Sequence, residues 1–246
     1  MIDSTKVILP ASQAFSAGTM EMSRIIPYGQ EGAVMGWSDY TANSVAIALS
    51  VILFLITFRE FVALVPSLLD AFSRWRACLN IDSNLQTRSA RNLFGFIFIL
   101  PITVIADRFS FIPAGRLAAV SAEWHIVAVL GTIVAWLLLR ALIYVILSFR
   151  VRKRELFQTA HKSFYNFWIL AGALNIITGA VCLAAGMDLH TARTVLLSEL
   201  ALLYFVAFIR KAQILGSFCS LLHTFLYLCA LEILPTGTLI ALSLLL

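Results

Sequence analysis

Between positions 124 and 149 the chain runs through 26 residues with one formal charge, Arg140, and few folds admit such a run. As an α-helix it reaches about 39 Å, more than the ~30 Å hydrocarbon core of a bilayer. Inside hydrocarbon the backbone must satisfy its own hydrogen bonds, which leaves helices or a closed β-barrel. No period-two alternation recurs along the chain, which argues against the barrel. Further apolar runs, at about 41–58, 92–111, 163–185, 191–209 and 213–234, are of spanning length by the same test. The 246 residues are 61% hydrophobic and 13% charged, against about 45–50% and about 25% in soluble domains. The expected fold class is all-α: a polytopic membrane protein of six transmembrane helices, with 41–246 as one domain.

Residues 1–40 hold Pro10, Pro27 and several glycines, and lack the basic start and continuous apolar stretch of a secretory signal. They read as an extracytoplasmic N-terminal arm. After the first span, Phe61, Val65, Leu68, Leu69, Phe72, Trp75 and Leu79 recur at steps of three and four, with Asp70, Arg74 and Arg76 between them. That spacing predicts an interfacial amphipathic helix, starting near Pro66. Positions 81–91 read as polar and turn-prone, and Cys78 as a loop residue. Pro101 interrupts the second span and Pro235 breaks the sixth, because proline donates no amide hydrogen bond.

Orientation follows from where Lys and Arg fall in the loops. Twelve of them lie after the first, third and fifth spans, against five on the opposite side. Both termini are therefore expected outside the cytoplasm, in a bacterial inner (cytoplasmic) membrane. The basic excess suits anionic lipid headgroups.

Counting inward from the basic residue that ends each helix places Arg140, Glu199, His223 and Asn175 at one depth, about 15–20 Å in. A charge at that depth costs a few kcal/mol unless it faces the bundle and is paired. One reading is a polar site with Arg140 as anion anchor, Glu199 as proton or cation acceptor and His223 as titratable partner. The other is an Arg140–Glu199 ion pair that fixes helix packing. Both predict that Arg140 and Glu199 meet.

At the outer boundary stand Asp107, Arg108, Glu123, His125, Asp188, His190 and Glu232, read mostly as solvated loop groups. Glu232 differs, since it precedes the Pro235 break, where freed carbonyls can line a cavity. At the cytoplasmic interface, Arg152, Lys153, Arg154, His161, Lys162 and Tyr165 combine charge with aromatic rings, as interfacial anchors or a headgroup pocket do. No catalytic, P-loop or dinucleotide motif occurs, no cofactor or metal ligand set is implied, and no basic patch suggests nucleic acid. The four cysteines have no metal or redox spacing and read as buried thiols.

The stretches Arg152-Lys-Arg-Glu-Leu-Phe, His161-Lys-Ser-Phe-Tyr-Asn-Phe-Trp, Leu203-Tyr-Phe-Val-Ala-Phe-Ile-Arg-Lys and Phe225-Leu-Tyr-Leu-Cys-Ala-Leu-Glu-Ile-Leu-Pro are together distinctive. Over 150–236 the chain resembles an uncharacterised multi-span integral-membrane family of Bacteroidota. The resemblance implies an inner-membrane location and no activity. Two functions remain open: a non-enzymatic component of an envelope assembly or transport complex, held by helix-face contacts to other membrane proteins, or a small transporter or lipid-handling enzyme. A wide path to the polar layer favours the second and a dry, packed pair the first.

Overall fold

The computed structural model describes residues 37–112, 120–149, 154–217 and 219–238, and all the regular structure among them is helical. Most of the N-terminal arm, and Arg152 and Lys153, lie outside these residues. The helices are α1 (Thr41–Ser73), α2 (Trp75–Ser83), α3 (Leu85–Ile97), α4 (Ile99–Arg108), α5 (His125–Ser148), α6 (Arg154–Ala184), α7 (Leu189–Gly216) and α8 (Leu221–Leu228). Beyond α8 the chain passes through a π-helical turn, Cys229–Ile233. Six stretches are long and apolar enough to cross a membrane, the second being α3 with α4 and the sixth Leu221–Thr238.

The first boundary falls elsewhere than expected. Helix α1 passes through Pro66 without a break and ends only at Arg74, whose backbone is extended at φ −133° and ψ 124°. Proline removes one hydrogen bond, to the carbonyl four residues back. Buried Leu64 and Leu68, on either side of it, pack with Phe94, Phe98 and Ile169, and the helix continues through the gap. Arg59 and Glu60 are both exposed mid-helix, so α1 continues about 20 Å past the end of its apolar run. Arg210 covers its open end, donating from Nε to the Phe72 carbonyl at 3.0 Å and from Nη2 to that of Ser73 at 2.6 Å. The amphipathic segment after the first span is thus divided between the end of α1 and α2.

Positions 81–91 are helical, and the turn signal there marks a boundary between two helices. Asn84 accepts from the Gln86 amide at 3.0 Å and caps α3. Cys78 lies on α2, fully buried with Ala71, Ile81, Phe157, Ile214 and Leu215. Burial pushes its thiol up to about 11, against a smaller lowering by the Asn166 side chain.

Pro101 acts as expected: α3 ends at Ile97, the residue whose carbonyl it leaves without a donor, and α4 begins at Ile99. Phe98, at the break, packs among Phe54, Phe61 and Phe94. It comes so near Gly172 that a Cβ there would stand 2.4 Å from its ring. At the other end, Ile105, Phe109, Cys182, Ala192 and Leu196 form a further buried cluster. Gly186, at φ 64°, closes α6, with the Met187 amide reaching back to the Cys182 carbonyl at 3.0 Å. Asp188 then caps α7 by accepting from Thr191, and those hydrogen bonds hold its carboxyl below the usual range.

Candidate functional site

Helix α7 does not end at Arg210 and Lys211 but runs on to Gly216, with Ile214 and Leu215 fully buried. The reversal falls at 217–220, so Lys211 is an interior residue, 2% exposed. The helix that follows comes back alongside α7. In an α-helix Pro235 would leave the carbonyl four residues earlier without a donor. Here the π turn, in which the Leu234 amide reaches back to the Cys229 carbonyl, absorbs one extra residue just before it. That turn buries Glu232, 4% exposed.

Glu232 meets Arg140 of α5 in a bidentate pair, Nη1 to Oε2 at 2.8 Å and Nη2 to Oε1 at 2.5 Å. Its Oε1 also accepts from Lys211 Nζ. The Arg140 guanidinium lies 3.7 Å over the Phe164 ring, which packs against Trp136 and Trp168. Two cations thus share one carboxylate, and among the described residues neither cation has a second acidic partner. The triad carries a net charge of about +1 on side chains at most 5% exposed, where such an excess is expensive.

Arg140 therefore pairs with Glu232 and not with Glu199. Helix α5 packs chiefly on α4 and α7 chiefly on α6, and where α5 and α7 meet at Glu232 it is Lys211, twelve residues beyond Glu199, that α7 brings to Arg140. Glu199 is half-buried, with Oε1 buried and hydrogen-bonded to none of the described groups. His223 is exposed, two residues past the start of α8, and its Nδ1 meets Ser220 Oγ at 2.6 Å. Its expected depth was counted from Lys211, and the later reversal moves it to the end of the bundle. Asn175 is buried on α6, its Nδ2 donating to the Ala171 carbonyl at 3.0 Å.

Depth changes as well. From the ends that begin α5 and α7, Arg140 lies about 22 Å along its helix and Lys211 about 33 Å. For a core of ~30 Å the triad belongs near the boundary at the basic end, where Arg88 and Lys162 lie, and not at the centre.

A cavity of about 550 Å³ adjoins the triad, with Lys211 and Glu232 in its wall. Its lining is overwhelmingly apolar, including Ile102, Ile105, Val129, Ile133, Phe167 and Leu200, and reaches Phe111 at the far end. Asn175 and Tyr204 add polar groups along the wall. From Leu197 to Lys211, both in the wall, α7 rises about 21 Å. Such a shape suits a chain better than a compact solute.

Of the outer-edge residues, Glu123, Asp188 and His190 are exposed, but Asp107, like Glu232, is not. Asp107 is 4% exposed rather than solvated. Its Oδ2 accepts from Trp37 Nε1 at 2.7 Å and its Oδ1 meets His125 Nδ1. This tie fastens the start of α5 to the end of α4 and to the residues before α1.

Of the interfacial run, the Arg154 side chain lies outside the described residues and Lys162 is half-buried. Tyr165 packs against Gly95. His161 is 7% exposed and stacks on Tyr144 at 3.9 Å, inside the bundle. Beside it, buried Arg91 pairs with Asp82 at 2.9 Å, and Thr159 donates to the same carboxylate at 2.7 Å. Lys211 falls on the face marked by Leu196, Leu203 and Ile214, all buried, and that spacing is the sequence signal for an interior lysine.

No protein-family model matches the chain, nor does any curated protein or solved structure. The fold and the site therefore carry the functional argument alone.

Proposed function

We propose that this protein handles lipid in a bacterial inner (cytoplasmic) membrane, admitting the apolar chain of a membrane amphiphile between α4, α5, α6 and α7. The observation that carries this reading is the apolar cavity of about 550 Å³ with Lys211 and Glu232 in its wall. Its volume lies within the ~300–1,000 Å³ usual for small-ligand sites. Its length exceeds the thickness of one leaflet's hydrocarbon, ~15 Å. The alternative role, as a non-enzymatic component of an envelope assembly, is offered the exposed apolar faces of α1, α5, α6, α7 and α8, and lipid alone suffices to cover those.

Orientation with the basic end in the cytoplasm belongs to the same proposal. Setting aside Arg91 and Lys211, which are buried, leaves ten basic residues on that side against five. The bias keeps its sign.

Gentle purification followed by mass spectrometry of extracted lipids tests the reading. One amphiphile is expected at near-stoichiometric amounts, and Ala201→Phe, which fills an exposed part of the cavity wall, should lower it about tenfold. An identical lipid profile from both proteins would overturn the proposal.

A further inference from the structure

Resting on that reading, we infer that the ligand is a single-chain amphiphile with an anionic head. The head docks on Lys211 at the edge of the Arg140–Glu232–Lys211 triad, and the tail fills the cavity.

Charge comes first. The bidentate Arg140–Glu232 pair is neutral on its own, which leaves Lys211 as the uncompensated cation. Lys211 is also the cation that lines the cavity. A carboxylate or phosphate brought to it removes the excess, whereas an amine adds a third positive charge and an alcohol changes nothing.

Unused donors point the same way. The Trp136 and Trp168 indole nitrogens and Arg140 Nε are buried with no hydrogen-bond partner among the described residues. All three belong to the group packed around Phe164, and both indoles line the cavity. Indole and guanidinium nitrogens only donate, so these three lack an acceptor, while Asn175 Oδ1 and Thr236 Oγ1, also unpaired among the described residues, lie in the same cavity wall. Buried polar groups left unpaired usually mark a missing partner.

Depth supplies the third argument. The triad stands near one hydrocarbon boundary and the cavity runs inward from it over about 21 Å. An amphiphile held there keeps the attitude it has in the leaflet, with its head at headgroup level and its tail toward the centre. One chain fits the cavity volume. The shared requirement is an anionic oxygen head, met by a fatty-acid carboxylate or a lysolipid phosphate.

The test uses the full chain in phosphatidylcholine nanodiscs and reads tryptophan quenching, since Trp136 and Trp168 line the cavity. The quenchers are dibromostearate and the dibrominated alcohol and amine of the same chain. Saturable quenching by the acid is expected at about tenfold lower concentration than by the other two. Oleate and oleoyl lysophosphatidate then compete against it. Stronger competition by the first assigns a carboxylate head and by the second a phosphate head, and either result supports the inference.

Equal quenching by acid, alcohol and amine would overturn the anionic head and leave the lipid-handling reading standing. No saturable quenching by any of them would remove both. Lys211→Met leaves a neutral Arg140–Glu232 pair and should abolish the preference while quenching persists. A preference that survives it refutes docking at Lys211. Should Lys211→Met not fold, the comparison on the native protein still decides.

Discussion

Glu232 holds two cations, and the three members of the triad are consequently unequal. Glu232→Leu strands Arg140 and Lys211 together, at 1% and 2% side-chain exposure. Arg140→Leu leaves a neutral Lys211–Glu232 pair. Removing one partner of a buried pair costs roughly 3–5 kcal/mol by analogy with soluble proteins. Glu232→Leu should therefore lose at least that much, and Arg140→Leu clearly less. Thermal unfolding of both variants in one detergent measures the order, and a less stable Arg140→Leu would contradict the shared carboxylate. The sequence identified Arg140 as a buried charge in need of a partner but supplied the wrong one. Glu199 has matching depth by count, whereas pairing is decided by which part of each helix meets the other, and linear spacing does not encode that.

At the scale of helices, proline set some boundaries and failed to set another. Pro101, which is buried, breaks its helix, and Pro66, which is exposed, does not. The difference is packing: buried Leu64 and Leu68 clamp α1 across Pro66, while Phe98 occupies the gap before Pro101 and turns it into a contact. Gly172 is the other half of that contact. Gly172→Ala would set a Cβ 2.4 Å from Phe98 and 3.1 Å from Ile102, with Phe98 fixed by its aromatic neighbours. Overpacking of this kind costs typically about 1–3 kcal/mol. A loss in that range is expected for Gly172→Ala in the same unfolding assay, against little change for Gly131→Ala, where a Cβ meets nothing within 4 Å. The amphipathic run after the first span was legible, and so was the Pro101 break. The π turn was not, because an inserted residue leaves composition and periodicity almost unchanged over so short a helix.

Over the whole molecule, alternating helices put 73–85 at one end and 109–112 with 120–124 at the other. Cysteines introduced at Arg88 and Glu123, both exposed, should accordingly label from opposite faces of sealed vesicles, with Arg88 on the cytoplasmic side. Labelling of both from one side would refute the six-span arrangement. The number of crossings was legible because hydrocarbon imposes a length and forbids an unpaired backbone. Where a helix ends was less legible, since a lysine at an apparent end is equally compatible with an interior ion pair.

That ion pair bears on how the protein is made. Glu232 follows Arg140 by 92 positions and Lys211 by 21, and a chain grows from its N-terminus. Both cations are synthesised before the one acidic partner they have among the described residues. Arg140 must wait at the insertion machinery or at the membrane edge, whereas Lys211 can enter as half of the α7–α8 hairpin with Glu232 already beside it. The final hairpin then acts as a latch: its arrival neutralises Arg140 and commits α5 to its place, so that assembly is completed by the segment translated after all the others it secures.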